Sequence, residues 1–133
     1  MTRAVLADTG PLYAANDERD EHHHRAVRDL KGFARDRRDV LIAYPILLEA
    51  YSLLLFRLSR KAACDWLNEV AGSSFVSPTA QDYARAGDTV QGLADQPITL
   101  VDATLAAMAR RLGLEVWTYD HHFDAMRAPV WRR

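Results

Sequence analysis

Ala4-Val5-Leu6-Ala7 is apolar at every position and stops at Asp8-Thr9-Gly10-Pro11. A strand with one wet face alternates apolar and polar residues. A run without that alternation is buried on both faces, which is the habit of parallel sheets covered by helices. Three more short runs share the pattern: residues 40–43, 74–76 and 115–119. A fifth, 129–131, is expected at a sheet edge. Helical spacing fills the intervals. Pro11 suits the first turn of a short helix reaching Asn16. Asp20 is expected to cap a helix over 21–36, with Ala26, Val27, Leu30, Phe33 and Ala34 on its apolar face. Pro45 opens a long helix, Ser59 caps one over 59–70 ended by Gly72, and Pro78 breaks the third strand. Another helix covers 79–93. Thr99 caps the last, which Gly113 ends. Strands alternating with helices predict an α/β fold, with a parallel sheet of four to five strands between two helical layers. With no repeat or linker, residues 1–133 are expected to form a single domain.

The acids within this pattern are out of place. Asp8 closes the first apolar run, and Asp120 closes Val116-Trp117-Thr118-Tyr119. Glu49 interrupts Ile46-Leu47-Leu48-Glu49-Ala50, and Asp102 interrupts Ile98-Thr99-Leu100-Val101-Asp102-Ala103. An ionised carboxylate in apolar surroundings is costly without a positive partner. The basic residues lie mostly elsewhere in the chain, so a bound cation is the simplest common partner. Hard oxygen ligands suit Mg²⁺ or Mn²⁺. Ligands of an open parallel sheet bind beyond the carboxyl ends of its strands. Asp8 and Asp120 end strands there, and the helices bearing Glu49 and Asp102 begin there. Each acid also has an ordinary explanation: Asp8 as a helix cap, Glu49 as a surface residue, Asp102 as a charge at a helix N-terminus, Asp120 as the start of a turn. One site accounts for all four at once.

Composition excludes other classes. The net charge of −1 rules out holding nucleic acid by bulk charge. Arginine outnumbers lysine fifteen to two. Arg35, Arg37 and Arg38 are read as a solvated helix end, with a local grip on phosphate as the alternative. Cys64 is the sole cysteine, so no internal disulfide forms, which fits a reducing cytoplasm. No run approaches the roughly 18–20 apolar residues that span a bilayer, and no leader is apparent. A cytoplasmic, soluble protein without membrane contact is expected. His22, His23 and His24 stand about 100° apart around a helix and do not form one zinc-binding face. Together with His121 and His122 they are assigned structural or surface roles. Trp131, beside Arg132-Arg133, is read as an edge or tail residue, with RNA or a partner as the alternative.

With these residues placed, the chain resembles the PIN domain family, and within it the VapC-type ribonuclease toxins of bacterial toxin–antitoxin pairs. Val5-Leu6-Ala7-Asp8-Thr9-Gly10-Pro11-Leu12 is similar to the family's first motif, and Asp20-Glu21-His22-His23 to the start of its second helix. Glu49 matches its helix acid. Leu100-Val101-Asp102-Ala103-Thr104-Leu105-Ala106 is similar to its third motif, and Trp117-Thr118-Tyr119-Asp120-His121-His122-Phe123 to its fourth. The resemblance covers nearly the whole chain, in order. It implies a PIN-like three-layer fold and Mg²⁺-dependent endoribonuclease activity, with Mn²⁺ as a substitute. It also implies an RNA substrate, a cognate antitoxin and a homodimer. Asp8 and Asp102 carry over as direct metal ligands. Glu49 and Asp120 carry over as ligands through water or of a second ion, and Thr118 as a residue that orients a water or ligand. Asp124 is read as an exposed turn acid. Two other functions use similar parts. A phospho-accepting receiver domain needs a lysine near a late strand, whereas Lys31 and Lys61 lie elsewhere. A non-catalytic RNA-binding module does not account for the complete acidic set.

Overall fold

The computed structural model describes residues 3–132. Among these are four strands and seven helices, in the expected order apart from the added four-residue α7. β1 (Arg3–Ala7) leads into α1 (Thr9–Ala15) and α2 (His23–Arg35). β2 (Arg38–Ala43) leads into α3 (Tyr44–Arg57) and α4 (Arg60–Val70). β3 (Phe75–Val76) precedes α5 (Ala80–Gly92) and α6 (Leu100–Leu112), and β4 (Glu115–Trp117) precedes α7 (His122–Ala125). The strand order is β3-β2-β1-β4, and every pair is parallel. Val5, Leu6 and Ala7 are consecutive and wholly buried, so both faces of β1 are covered. The sheet is therefore the middle of three layers.

Local chemistry sets most boundaries. Ser59 Oγ accepts the amide of Ala62 at 3.0 Å and opens α4. Thr79 and Asp82 form a reciprocal capping box on α5. Thr99 Oγ1 accepts the amide of Asp102 at 3.1 Å, and Gly113 ends α6 at φ 67°, where a side chain would be strained. Seven consecutive residues of α6, Ala103 to Ala109, are buried, so neighbours hold this helix on all sides. Arg111 near its end donates to both carboxylate oxygens of the buried Asp82, locking α6 to α5.

Three expectations need correction. Asp20 does not cap α2. Its carboxylate accepts the amide of His22 at 2.8 Å in a local turn, and the helix starts at His23. β4 ends at Trp117 rather than 119: the Asp8 amide donates to the Trp117 carbonyl at 2.9 Å, and the neighbouring β1 then turns into α1. The fifth strand reduces to one parallel bridge between Val116 and Val130. Arg35 ends α2 and Arg38 starts β2, so the basic run there straddles two elements. Arg133 lies outside the described residues.

Candidate active site

β1 delivers Asp8 to the carboxyl edge of the sheet. Its Oδ1 accepts the Thr9 amide at 2.8 Å, so it does cap α1; its Oδ2 accepts the Thr118 hydroxyl at 2.8 Å. The cap and the site are thus the same carboxylate. The Thr118 hydroxyl oxygen also accepts the Asp120 amide at 3.0 Å, tying the ends of β1 and β4 together. Asp120 in turn accepts the His122 amide at 2.9 Å, and the His122 ring stands 3.1 Å away. Asp102 sits in the first turn of α6 and Glu49 in the second turn of α3.

Asp8, Glu49, Asp102 and Asp120 line one cleft of about 330 Å³. Thr9, Gly10, Tyr13, Asp20, His22, Leu53, Arg57 and Tyr119 complete it. The structure thus brings together the four acids picked from sequence, with Thr118 directly behind Asp8. Asp124 stands apart, held by Arg132 at 2.8 Å on the exposed surface. Asp20, His22, Tyr13, Arg57 and Tyr119 were not expected in the site. For Arg57 a signal was available: Glu49, Leu53 and Arg57 are spaced by four along α3 and share a face. Arg57 also corrects the expectation that basic residues avoid the acids.

The electrostatics show how costly this arrangement is. Burial pushes the Asp8 carboxyl up to about 7, and nearby Asp102 adds to the rise; the bonds from Thr118 and Thr9 oppose it. Asp102 rises to about 6 through burial and the charges of Asp120 and Glu49, against the opposing Thr99 bond and His122. Both carboxyls are thus pushed up by burial and by neighbouring acids. A divalent cation would remove the repulsion. Thr9 Oγ1 is buried beside Asp8 and, among the described residues, has no hydrogen-bond partner. An oxygen-rich ligand would satisfy that hydroxyl. Among the described residues no three acids or histidines gather tightly enough to cage an ion alone. Mg²⁺ does not need such a cage, because it keeps several waters and takes one or two carboxylates. The donor set therefore fits such an ion.

A model of the PIN domain matches residues 5–129. This chain belongs to the PIN domain family. Its fold is similar to that of VapC20 from Mycobacterium tuberculosis, described as a sarcin-ricin loop cleaving toxin, at a TM-score of 0.82 and 22% identity over 97% of this chain and 99% of that one. VapBC2 from Rickettsia felis, bound to a DNA fragment from its promoter, matches at 0.74 and 13% identity over 97% of each chain. DNA-bound VapBC from Salmonella typhimurium matches at 0.71 and 17% identity over 98% and 96%. No curated protein matches by sequence. At these identities the likeness establishes a shared PIN fold, end to end.

Proposed function

We propose that this PIN domain is a Mg²⁺-dependent endoribonuclease, the toxin of a VapBC-type pair, that hydrolyses RNA phosphodiester bonds. The observation that carries the proposal is the convergence of Asp8, Glu49, Asp102 and Asp120 on one cleft, with Asp8 and Asp102 raised toward neutrality by burial and mutual repulsion. The family and the VapC neighbours agree with it.

Asp8 and Asp102 would hold the ion directly, and Glu49 and Asp120 would hold it through water or hold a second one. When bound, the ion supplies charge for the phosphate oxygens and a water acidic enough to attack at neutral pH. Thr118 fixes the Asp8 carboxylate by donating to one oxygen while the Thr9 amide takes the other. His122 and its amide fix Asp120. A carboxylate left unliganded accepts the proton of the attacking water. Hydrolysis by water leaves a 5′-phosphate and a 3′-hydroxyl.

A cognate antitoxin, expected to inhibit by inserting a peptide near the cleft, is part of the proposal, as are a homodimer and a cytoplasmic location. The homodimer draws support from an apolar groove of about 420 Å³ bounded by Tyr44, Leu48, Tyr83 and Leu100, all exposed. Among the described residues no helix is long and apolar enough to cross a membrane.

The test is cleavage of total RNA with Mg²⁺, with EDTA, and by Asp102→Asn in Mg²⁺. Discrete fragments bearing 5′-phosphates, made only by the unaltered protein with Mg²⁺, support the assignment. Cleavage that survives both EDTA and the substitution, or 2′,3′-cyclic phosphate ends, refutes it.

A further inference from the structure

The acidic cleft poses a binding problem for a polyanion. Four carboxylates line it, with Asp20 at its side, and Arg57 is the arginine in its wall. RNA carries a charge on every nucleotide, and the protein's net charge of −1 offers no general attraction. Positive charge must lie close by, within the roughly 8–10 Å over which salt leaves it effective.

Such charge lies on the far side of Tyr119. A second pocket, of about 350 Å³, is lined by Arg25, Arg28, Asp29, Thr118, Tyr119, Trp131 and Arg132. It shares Tyr119 with the acidic cleft, and an adjoining hollow shares Asp120 as well. The two sites are thus neighbours across one side chain. Three guanidinium groups lie there with two carboxylates: Asp29, which is buried, and Asp124 of the adjoining hollow, which pairs with Arg132. Asp29 is buried and accepts Trp117 Nε1 at 3.0 Å and the Tyr119 hydroxyl at 2.7 Å.

This pocket is built rather than incidental. The Tyr119 hydroxyl is pinned by Asp29, and its ring lies 5.0 Å from that of His22. The Arg25 guanidinium stacks over the Tyr119 ring at 4.1 Å. That contact holds the Arg25 guanidinium, a group that binds phosphate oxygens in pairs, beside the acidic cleft. Arg28 follows one turn along α2. Asp124 anchors Arg132 through Nη2 at 2.9 and 2.8 Å. Trp131 packs edgewise on Phe33, with ring centroids 4.6 Å apart, and stays partly exposed on the pocket wall.

We propose that Arg25, Arg28 and Arg132 form a phosphate-binding subsite for single-stranded RNA, holding the backbone where it leaves the acidic cleft past Tyr119. The assignment rests on the ribonuclease reading of that cleft and adds to it the place where substrate affinity comes from. The acids supply the chemistry and repel the chain; the arginines across Tyr119 hold it. Trp131 offers a stacking surface for a base beside the held phosphate.

The test uses fluorescein-labelled single-stranded RNA, with Asp102→Asn in every protein to silence cleavage and binding followed by anisotropy across KCl concentrations. Each phosphate contact to a single strand contributes about 0.7 to the slope of log affinity against log salt. Replacing Arg25→Gln and Arg28→Gln together should flatten that slope by about 1.4 and weaken binding about twentyfold at 0.1 M salt. Arg25→Lys with Arg28→Lys keeps the charges and should keep most of the slope. This pair keeps the test decisive if the glutamine pair melts early. Unchanged affinity and slope in the glutamine pair would overturn the subsite. So would an acidic peptide whose binding needs the arginines when RNA binding does not, because the pocket would then be a protein-docking site. The ribonuclease reading fails separately. Arginine-dependent RNA binding by a protein whose unsubstituted form cleaves no RNA would sink the nuclease and leave the subsite standing.

Discussion

Replacing Asp8 by asparagine should make the metal-free protein more stable at pH 8, although it removes a helix cap's charge and a central residue of the cleft. Asparagine is as good an N-cap as aspartate, so the bond to the Thr9 amide survives. What disappears is the ionisation, together with the Oδ2 acceptor of the Thr118 hydroxyl, whose loss offsets part of the gain. The Asp8 carboxyl moves from 3.8 to about 7 on folding, so the folded protein retains a proton that the unfolded chain has released across that interval. Stability therefore falls as pH rises from about 4 to about 7 and stays low above it. Asp102, raised to about 6, contributes in the same sense over a narrower window. A shift of about three units corresponds to roughly 4 kcal/mol, and relaxation of the site brings the expected gain to about 2–4 kcal/mol. For a domain of this size that is on the order of 10 °C in melting temperature. The assay is thermal melting of both proteins in EDTA at pH 4.5, 6 and 8. The variant's advantage should be small at pH 4.5, about a quarter of its full size, and full at pH 8. Mg²⁺ at pH 8 should raise the unsubstituted protein far more than the variant. An offset that is flat with pH, or a variant less stable at pH 8, would refute the argument that the cleft is strained by its own charge.

Other substitutions probe other links. Thr118→Val removes the hydroxyl that joins Asp8 to the Asp120 amide, and should weaken Mg²⁺ about tenfold to a hundredfold by calorimetric titration with little change in fold. Arg111→Ala strands the buried Asp82 and should cost about 3 kcal/mol in urea unfolding at pH 7. Because Arg111 holds the Asp82 carboxyl below its ordinary range, that loss should shrink as the pH falls toward and below the carboxylate range. Leu48→Glu, on the exposed apolar groove, should convert a dimer to a monomer in sedimentation velocity without lowering melting temperature at low protein concentration.

Much of the architecture was legible because its signals are local. β1 is apolar from Ala4 to Ala7, Thr99 and Ser59 are caps, and Gly113 is a stop; each acts within a few residues. Asp20 misled because aspartate serves a local turn as readily as a helix cap, and the choice was made by the His22 amide. α7 has four residues, too few to show a period. In the site, the acids stood out because each violates an apolar run, and the sheet's directionality sufficed to bring their elements to one edge. Their supports were visible only in part: the family resemblance marked Thr118, but no local signal gave its partner. Thr118 meets Asp8 across 110 residues, and Tyr119 meets Asp29 across 90. No spacing rule reaches that far. The arginine pocket has the same origin, because α2 and the chain after β4 come together only when the sheet closes.

The order of the sheet has a consequence for synthesis. β1 is made first but lies between β2 and β4, and one side of it is filled only when residues 115–117 arrive. Thr118 and Asp120 emerge directly after them. A ribosome that has translated most of this chain therefore carries Asp8, Glu49 and Asp102 but no completed site. If the assembled domain does cut RNA, the growing polypeptide lacks a completed site until residues 115–120 have emerged. An interrupted message then yields an inert fragment rather than a partly active one.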